Sequence, residues 1–489
     1  MPPRPVRIAD LAALLGGELR GDPAVEVADV THDSRAAGPG VLFACRPGRH
    51  ADGHDFAADA LAAGSPALLV QRPIELPATQ LEVPDVANAI GPAAAAVHAA
   101  PSQQLALFGV TGTNGKTTTA YLLEAGLTGA GLPSGLLGTI ETRLGAERLE
   151  GIRTTPEAAD LQRLLRRMLE AGLSGAALEV SSHGLALGRV RGTRFAAVGF
   201  TNLTQDHLDF HVDMEAYYDA KATLFTSAYT HLGVVCIDDA WGRRLAGESP
   251  ITVRTLSTRD HAADIVASDV TTNPAGTRFT AHLVGDDVRV HTRLLGSFNV
   301  TNTLLALALL EAGGIDPAAA AEGMARLPGV PGRLEQVDAG QPFTVLVDYA
   351  HTPAAVAGTL AALRGLVGHR RLITVLGCGG DRDKGKRPAM GRAVVTGSDL
   401  AVLTSDNPRS EDPLAILEAM RSGALEATGA FLVEPDRARA IARAVATATA
   451  GDIVLIAGKG HERTQEVAGT LYPFDDRRVA ADALQGACS

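Results

Sequence analysis

The sequence lacks the features of three common classes of protein. No run of about 18 apolar residues occurs, so no membrane-spanning helix is predicted. The amino-terminal stretch MPPRPVRIADLAALLGG has no apolar core of the kind found in signal peptides. We therefore expect a cytoplasmic protein. Its four cysteines lie far apart and form no CxxC pair, which predicts neither a zinc ribbon nor a disulfide scaffold: Cys45, Cys236, Cys378 and Cys488.

An excess of positive charge is also missing. The chain has 44 Lys and Arg residues against 55 Asp and Glu residues, a net charge of −11. This balance argues against a general binder of nucleic acids or anionic membranes, and we expect neither partner. A hydrophobic content of 46% and a charged content of 20% are typical of globular proteins. The 489 residues predict two to four domains of roughly 100–200 residues each, and we expect a monomer.

Hydrophobic patterns divide the chain into three predicted domains, residues 1–102, 103–333 and 334–489. The first mixes short helices and strands and ends at the polar PSQQ stretch. The second alternates buried strands with helices, which predicts a parallel sheet covered on both faces. Near its end, residues 277–295 alternate with period two about a Gly-Asp turn and predict an appended β-hairpin. Its apolar strand runs are Leu105–Val110, Gly175–Val180, Phe195–Phe200 and Gly233–Ile237.

The third domain has the clearest pattern. Helical segments separate its strands, and one of them begins with Thr352 as a cap and Pro353 at the first helical position. This alternation predicts a Rossmann-like, doubly wound domain. The fold class is therefore α/β with three domains, the central one a P-loop sheet. The predicted strands of the third domain are Phe343–Val347, Arg371–Leu376, Leu400–Thr404, Phe431–Val433 and Ile453–Ala457.

A phosphate-binding loop is predicted in GVTGTNGKTTTAY, residues 109–121, between a buried strand and a helix. The strict GxxxxGK[ST] pattern would place glycine where this chain has Val110. Backbone N–H groups of the loop and the helix N-terminus can nevertheless cradle phosphates, Lys116 can reach them, and the Thr117 hydroxyl can bind Mg²⁺. The alternative is a glycine-rich turn without a ligand. The predicted ATP-binding residues here are Gly112, Thr113, Asn114, Gly115, Lys116, Thr117 and Thr118.

Polar clusters follow four strands of the third domain directly. Because parallel strands place their carboxyl ends at one edge of the sheet, these clusters should meet there. Arginine can hold a carboxylate with two hydrogen bonds, whereas Asp406 and Glu462 can accept from an ammonium group. The clusters therefore predict a small ligand with both charges, although separate polar turns remain the alternative. They are residues 348–351, 377–387, 406–409 and 458–462.

Motifs in every domain resemble those of the Mur ligase family. GTNGKTT is accompanied by EVSSH and NLTQDHLDFH downstream. The resemblance implies an ATP- and Mg²⁺-dependent enzyme that forms an amide bond in peptidoglycan precursor synthesis. DNPR, GCGGDRDKGKRP and AGKGHE are similar to motifs of the members that add diaminopimelate to UDP-N-acetylmuramoyl-L-alanyl-D-glutamate. These two molecules are the expected substrates, with meso-diaminopimelate as the amino acid.

The resemblance also implies roles for single residues. Glu179 lies at the end of the predicted strand Gly175–Val180, and His207 follows the predicted strand Phe195–Phe200. Family members use these positions around Mg²⁺, although a structural role is the alternative for His207. Lys221 alone would be an ordinary, solvated helix lysine, but it matches a family lysine that is carbamylated. The implied catalytic residues are thus Lys116, Glu179, His207 and Lys221, and the implied metal ligands are Thr117, Glu179, His207 and Lys221.

Substrate contacts are implied in the same way. Asn302 should face the adenine, while Arg333 and Asp348 should touch ATP across the cleft. The alternative for Asn299 and Asn302 is a cap and a helix-surface residue, and turn capping is the alternative for Ser34, Thr154 and Thr155. A family glutamine is replaced by Leu187. The implied precursor contacts are Ser34, Thr154, Thr155, Ser181 and Arg189. The implied diaminopimelate contacts are Arg382, Asp406, Asn407, Pro408, Arg409, Gly458 and Glu462.

Other functions stay open. A sister ligase could add L-lysine, LL-diaminopimelate or another amino acid, although an arginine aimed at a distal carboxylate favours diaminopimelate. A folate-polyglutamate enzyme would lack the amino-terminal DSR…PG segment. A non-catalytic ATP-binding homologue would not need Lys116, Thr117, Glu179, His207 and Lys221 together.

Overall fold

Three sheets organise the protein, one in each third of the chain. The structure is a computed structural model and describes residues 4–48, 51–273 and 276–487. In these residues the sheets have five, eleven and six strands, and two further strand pairs are small. No described helix has both the length and the apolar character needed to cross a membrane.

The amino-terminal sheet has the order β2-β7-β6-β5-β4, in which only β2 runs antiparallel to its neighbour. Helix α3 packs on it and leads through a short 3₁₀ turn into the next sheet. The strands of this part of the chain, of which β1 and β3 form a separate antiparallel pair, are β1 (Val6–Arg7), β2 (Glu18–Arg20), β3 (Glu26–Val27), β4 (Asp29–Thr31), β5 (Val41–Ala44), β6 (Ala67–Val70) and β7 (Thr79–Glu82). Its helices are α1 (Ile8–Leu15), α2 (Ala57–Ala62) and α3 (Val86–Val97).

The central sheet has eleven strands in the order β11-β10-β9-β12-β8-β13-β14-β15-β16-β17-β18. Its strands are β8 (Ala106–Thr111), β9 (Ser134–Leu137), β10 (Glu141–Leu144), β11 (Glu147–Glu150), β12 (Gly175–Glu179), β13 (Ala197–Phe200), β14 (Leu232–Cys236), β15 (Thr252–Ser257), β16 (Ile265–Asn273), β17 (Gly276–His282) and β18 (Asp287–Thr292). Its helices are α4 (Lys116–Gly129), α5 (Ala158–Glu170), α6 (Ser182–Ala186), α7 (Leu208–His211), α8 (Met214–Ala222), α9 (Ala240–Glu248), α10 (Ser297–Ala312) and α11 (Pro317–Ala325).

Alternate residues of the central strands pack on opposite faces of this sheet. In β8, Phe108 and Val110 belong to the core beneath α4 and α10, whereas Leu107 belongs to the core on the α5 side. In β12, Ala177 and Leu178 divide in the same way. Two covered faces explain why these strands are continuous apolar runs, and they confirm the predicted parallel sheet.

Both edges of the central sheet are antiparallel hairpins. The predicted one is confirmed, since β17 and β18 pair from Thr277 with Thr292 to His282 with Asp287. It joins the parallel strands through β16, which has a register shift after Ser268. The hairpin of β10 and β11 at the other edge was not predicted. Its sequence, ETRLGAERLE, alternates charged and apolar residues without a buried-strand run.

The carboxyl-terminal sheet has the order β19-β20-β24-β21-β22-β23 and is parallel from β20 to β23. Helices cover both faces, which confirms the doubly wound domain, and Thr352 caps α12 by accepting from Ala355 N–H. The strands of this domain, of which β25 and β26 form a separate antiparallel pair, are β19 (Glu335–Val337), β20 (Thr344–Asp348), β21 (Leu372–Cys378), β22 (Leu400–Ser405), β23 (Ala430–Val433), β24 (Ile453–Ala457), β25 (Thr464–Val467) and β26 (Thr470–Pro473). Its helices are α12 (Pro353–Val367), α13 (Lys386–Gly397), α14 (Pro413–Ala424), α15 (Arg437–Thr447) and α16 (Asp476–Ala487).

A buried ion pair fastens the last helix to this sheet. Arg437 and Asp476 are both fully buried and meet at 2.6 Å. The same guanidinium donates to the carbonyl oxygens of Ser405 and Ala457, the last residues of β22 and β24. The pair therefore holds the ends of two strands from behind, directly before two of the predicted ligand clusters.

Removing the carboxylate of this pair is expected to destabilise the protein strongly. Asp476→Ala would leave the Arg437 guanidinium buried without its counter-charge, which typically costs about 3–5 kcal/mol. The matched control is Glu418→Ala, whose partner Arg421 is 43% exposed, and an exposed pair contributes about 0–1 kcal/mol. Urea unfolding monitored by circular dichroism measures both. Equal losses of unfolding free energy in the two variants would contradict a strong stabilising role of the buried Arg437–Asp476 pair.

Candidate active site

The predicted phosphate loop, residues 112–115, connects β8 to the N-terminus of α4. Lys116 Nζ donates to the carbonyl oxygens of Gly112 and Thr113, both at 2.8 Å. Burial lowers the pKa of this ammonium group. The first N–H groups of α4, from Lys116 to Thr118, have no partner within the helix and can donate to an anion.

Two glycines of the loop have backbone conformations that favour glycine. Gly112 has φ 144° and Gly115 has φ 92°. A Cβ atom at Gly112 would overlap Thr201 Oγ1, and one at Gly115 would overlap Asn302 Oδ1. The missing glycine at position 110 matters little, because Val110 is a core residue inside β8. The loop thus has the tight backbone that a phosphate cradle requires.

Glu179 lies fully buried at the end of β12, beside this loop. Its carboxylate accepts from the Thr117 hydroxyl at 2.9 Å and from Thr139 N–H and hydroxyl at 2.8 and 3.1 Å. Pairing of β12 with β8 puts Glu179 opposite Val110, two residues before the loop. The predicted pair of Thr117 and Glu179 is therefore brought together across 62 residues of sequence.

Lys221 is buried, with 1% of its surface exposed, so its interpretation as a solvated helix lysine is wrong. Its Nζ atom donates to Gly112 O at 2.9 Å and lies 4.7 Å from the Tyr217 ring centroid. Burial lowers the pKa of Lys221 well below its usual value, and the nearby charge of Lys116 lowers it further. Helix α8 thus places the Lys221 amine, whose pKa is lowered, against the carbonyl oxygen of Gly112, the first residue of the phosphate loop.

His207 belongs to a group of aromatic rings between β13 and α8. Its ring lies edge-on to His183, with centroids 4.8 Å apart, and 6.2 Å from the ring of Tyr217. Burial lowers the pKa of His207 to about 4 although Asp206, 3.5 Å away, favours the charged form. His211 also has a pKa of about 4 because of burial. These imidazoles are neutral at pH 7 and can act as ligands or acceptors.

The chemistry of this donor set fits Mg²⁺. A carboxylate and a hydroxyl that already meet, Glu179 and Thr117, are hard oxygen ligands of the kind that Mg²⁺ selects. In the described chain, no three His, Cys, Asp or Glu side chains form a group able to hold a metal. This agrees with the predicted metal ligands, of which only Glu179 and His207 are residues of these four types. The other two predicted ligands are the Thr117 hydroxyl and a carbamylated Lys221.

Arg333, on the segment before β19, connects the central and carboxyl-terminal sheets. Its guanidinium donates to Thr117 Oγ1 at 3.1 Å and stacks 4.5 Å above the Tyr349 ring centroid. Asp348 is the last residue of β20, and its two carboxylate oxygens accept from the backbone N–H groups of Leu334 and Ala350. Burial raises the pKa of Asp348. Arg333 therefore lies at the phosphate loop. Asp348 holds the backbone next to Arg333 through its hydrogen bond from Leu334 N–H.

The two asparagines of α10 are neither a cap nor surface residues. Both are buried, and Asn302 Nδ2 donates to Asn299 Oδ1 at 2.9 Å. Asn299 Nδ2 in turn donates to Leu295 O. The Asn302 oxygen is thereby directed at Gly115, next to the phosphate loop.

Four of the predicted precursor contacts lie together near the end of β12. Thr155 Oγ1 donates to Glu179 O and accepts from Ser181 N–H, and Ser181 Oγ caps α6 by accepting from Gly184 N–H. Arg189 donates to Thr155 O and pairs with Glu157 at 2.8 Å. Thr154 accepts from Thr139, and Leu187 ends α6. Ser34 lies in a separate 3₁₀ turn of the amino-terminal domain, capped by Asp33.

An unpredicted ion pair connects this group to the amino-terminal domain. Arg46, just after β5, pairs with Glu157 at 3.3 Å, and Glu157 thereby bridges it to Arg189. Burial lowers the pKa of Arg189. Nothing in the local sequence around Arg46 indicates the contact, because its partner is 111 residues away.

The four polar clusters of the carboxyl-terminal domain meet at one edge, as the parallel sheet requires. Asp406, Asn407 and Pro408 are buried after β22, and Gly458 is buried after β24. A Cβ atom at Gly458, which has φ 112°, would lie 2.6 Å from Asp406 Oδ2. Glu462 accepts from Asn407 Nδ2 at 2.7 Å.

The two arginines predicted to contact diaminopimelate differ in their exposure and hydrogen bonds. Arg409 has φ 53°, donates to Gly380 O at 2.7 Å and lies 3.5 Å from Glu466 Oε2. Arg382 is exposed, and its guanidinium donates to the neighbouring Asp381 O. Arg409 is thus held in place, while Arg382 extends from the loop toward solvent.

Three further groups at this edge were not assigned roles from the sequence. Lys459 is fully buried and donates to Asn407 and Glu462. Arg387 is 3% exposed and makes a two-pronged pair with Glu411, tying loop 379–387 to the segment after Arg409. Burial lowers the pKa of His461 to about 3, and its ring lies 5.2 Å from that of Tyr349.

Comparison with solved structures shows the same architecture. A structure entitled UDP-N-acetylmuramoyl-L-alanyl-D-glutamate–2,6-diaminopimelate ligase is 32% identical, with a TM-score of 0.72 over 99% of this chain and 100% of that one. The MurF ligase of Thermotoga maritima in complex with ADP is 17% identical, with a TM-score of 0.63 over 94% of this chain and 97% of that one. The latter shows only that the fold is shared.

Sequence comparison gives the family. Three sequence profiles match: Mur ligase family, catalytic domain at residues 26–109; Mur ligase middle domain at 110–310; and Mur ligase, glutamate ligase domain at 332–460. Proteins named UDP-N-acetylmuramoyl-L-alanyl-D-glutamate–2,6-diaminopimelate ligase are 49% identical in Streptomyces coelicolor, over 99% of this chain and 98% of that one, and 41% identical in Geobacillus thermodenitrificans, over 95% and 96%. This chain belongs to the Mur ligase family.

Proposed function

We propose that this protein is an ATP-dependent ligase that joins meso-diaminopimelate to UDP-N-acetylmuramoyl-L-alanyl-D-glutamate. The observation that carries the proposal is the contact of Arg333 with Thr117, which brings the ligand edge of the carboxyl-terminal sheet to the phosphate loop. The names of relatives that are 41–49% identical over nearly the whole chain support the same activity.

The proposed reaction has two steps. A carboxylate of the precursor takes the γ-phosphoryl group of ATP, which gives an acyl phosphate and ADP. The amine of diaminopimelate then attacks the acyl carbon, and inorganic phosphate leaves as the amide forms with loss of a proton. Several anionic oxygens must be held together during both steps, so cationic groups are required around them.

The residues described above can meet this requirement. Lys116, Arg333 and the N-terminus of α4 supply positive charge at the phosphate loop. We assign the ATP contacts to residues 112–118, Asn302, Arg333 and Asp348. Thr117, Glu179, His207 and a carbamylated Lys221 would hold Mg²⁺. Bound there, the ion would neutralise charge on the phosphate oxygens.

The precursor would lie between the amino-terminal and central sheets. The bridge of Arg46, Glu157 and Arg189 joins these sheets beside Thr155 and Ser181. We assign precursor contacts to Ser34, Thr154, Thr155, Ser181 and Arg189. We propose that a monomer is active and that it works in the cytoplasm, where ATP is available. Size-exclusion chromatography with light scattering measures the oligomeric state.

Carbamylation of Lys221 should make the activity depend on bicarbonate and pH. Carbon dioxide adds to a neutral amine, and burial lowers the pKa of Lys221 well below its usual value, which favours the neutral form of the amine. As pH falls through that pKa, the amine gains a proton and the carbamate is lost. We expect several-fold activation by bicarbonate in carbon dioxide-depleted buffer, larger when the enzyme is preincubated at higher pH, measured by ADP release.

The control for this prediction is Lys221→Arg, which keeps a cation but cannot form the carbamate under these conditions. It should be inactive with and without bicarbonate. Full activity of the wild-type protein after exhaustive removal of carbon dioxide would contradict the modification.

The test of the function is a panel of amino acids with the purified protein. ATP, Mg²⁺ and the precursor are supplied with meso-diaminopimelate, LL-diaminopimelate or L-lysine, and the tripeptide product is detected by mass spectrometry. We expect ADP and product with meso-diaminopimelate. ATP binding without ADP or product in any reaction would instead identify a non-catalytic homologue.

A further inference from the structure

Lys459 is the most enclosed cation at the ligand edge of the carboxyl-terminal sheet. Its side chain is fully buried. The ammonium group has three hydrogens and three acceptors: Asn407 Oδ1 at 3.0 Å, Glu462 Oε2 at 3.1 Å and Thr464 O at 2.7 Å. A buried charge that is fully paired fixes the position of every group it touches. Two of those groups, Asn407 and Glu462, are among the diaminopimelate contacts that the family resemblance implies.

The use of lysine in this chain supports a specific role. The sequence has only five lysines, against 39 arginines. Lys116 and Lys221 lie at the phosphate loop, and the other three lie at the carboxyl-terminal ligand edge: Lys384, Lys386 and Lys459. Lys384 is 72% exposed, but Lys116, Lys221 and Lys459 each donate from Nζ to acceptors within a proposed site, in a chain that otherwise uses arginine.

The contacts of Lys459 determine which way the Asn407 amide faces. An ammonium group only donates, and so does Glu466 N–H, which lies 3.0 Å from the same Asn407 oxygen. Both must therefore meet Oδ1. The opposite side of the amide is consistent, because Nδ2 donates to the Glu462 carboxylate at 2.7 Å. An amide nitrogen has two hydrogens, so one remains for a ligand acceptor.

Lys459 also changes the charge of the pocket. It pairs with Glu462, whose negative charge is thereby compensated. Asp406, which is 7% exposed, takes part in no ion pair among the described residues. Two carboxylates that look equivalent in the sequence therefore differ: Glu462 is ion-paired with Lys459 and positions Asn407, whereas Asp406 has no such partner in the described part of the chain and can accept from an ammonium group.

We infer that Lys459 is a positioning residue for amino-acid selection: it holds Asn407 with its N–H toward the substrate and compensates Glu462. Asn407 and Arg409 then offer donors to a carboxylate of the amino acid, and Asp406 accepts from an ammonium group. This inference rests on the proposed function. It names which charge of a substrate with both signs each side chain recognises.

Asn407→Asp tests the orientation directly. The new carboxylate keeps the acceptor for Lys459 and Glu466 N–H, but it replaces the donor with an oxygen that faces Glu462. We expect the KM for diaminopimelate to rise about tenfold or more, while the KM values for ATP and the precursor change less than about twofold. Arg421→Ala, an exposed position on α14, is the matched control. An unchanged KM for diaminopimelate, or an equal rise for ATP, would overturn the inference.

Lys459→Met tests the compensation of charge. It should raise the KM for diaminopimelate, and Glu462→Gln should then raise that KM less in the Lys459→Met background than in the wild type. If the two substitutions instead raised the KM for diaminopimelate by independent, multiplicative factors, the inference that Lys459 compensates the charge of Glu462 would be overturned. If Lys459→Met does not fold, Asn407→Asp alone decides. A wild-type protein that forms no tripeptide refutes the proposed function, whereas an active wild type with an unaffected Asn407→Asp variant refutes only the inference.

Discussion

Lys116→Ala is expected to abolish ligase activity, with a fall in kcat of about 10³-fold or more. In the structure its ammonium group donates to the carbonyls of Gly112 and Thr113 and so lies inside the loop that would hold the triphosphate. The variant loses the charge that opposes the negative charge of the phosphates during transfer. ADP release and tripeptide formation, measured at saturating substrate, give kcat.

The matched control is Arg326→Ala at the C-cap of α11, a cation of the same domain that is 71% exposed and pairs with exposed Glu322. Its kcat should stay within about twofold of the wild type. Circular dichroism establishes that both variants are folded. If Lys116→Ala kept more than about a tenth of the activity, the assignment of this loop to the triphosphate would be wrong.

Arg409→Ala is expected to lose the use of diaminopimelate far more than the binding of ATP. Its guanidinium is 21% exposed, anchored to Gly380 O and positioned beside Asn407. Without it, a substrate carboxylate would be desolvated and unpaired, at a cost of about 2–4 kcal/mol, or roughly 30- to 1000-fold in kcat/KM for diaminopimelate.

Two variants sharpen this test. Arg409→Lys keeps the charge but not the planar fork, so its kcat/KM should lie between those of the wild type and Arg409→Ala. Arg421→Ala should leave both substrates unaffected, because its guanidinium is exposed on α14. Calorimetry of ATP binding, compared with kcat/KM for diaminopimelate, separates the two substrates. Equal losses for both would refute the assignment of Arg409 to amino-acid selection.

The effects expected for Lys116→Ala and Arg409→Ala both depend on contact between the carboxyl-terminal domain and the phosphate loop. Arg333 makes that connection with Thr117, and His351 lies 4.0 Å from Asp206 of the central domain. The edges that we propose for the amino acid and for the triphosphate thus belong to different sheets, which meet at one cleft. Closing such a cleft excludes water from an acyl phosphate, which water would otherwise hydrolyse.

Local patterns in the sequence predicted the elements that depend on near neighbours. The apolar runs predicted β8, β12, β13 and β14 and all five parallel strands of the third domain, because a strand buried on both faces needs a continuous apolar run. GTNGKTT predicted the strand–loop–helix of the phosphate loop. The β10–β11 hairpin was missed, since a sheet edge carries charged residues without such a run.

Tertiary structure alone decided the environment of single side chains. Lys221 reads as a solvated helix lysine, yet α8 packs it against Gly112 and its pKa falls. Asp348 has both oxygens engaged by backbone N–H groups, and Arg46 meets a partner from another domain.

The sequence by itself therefore determined that this protein has three α/β units, a phosphate loop and a row of charged strand ends. It could not determine that Lys459 pairs with Glu462, or that Asp406 has no ion-pair partner among the residues that the structure describes. Strand ends follow from local periodicity, whereas burial and charge pairing depend on which distant segments the fold brings together.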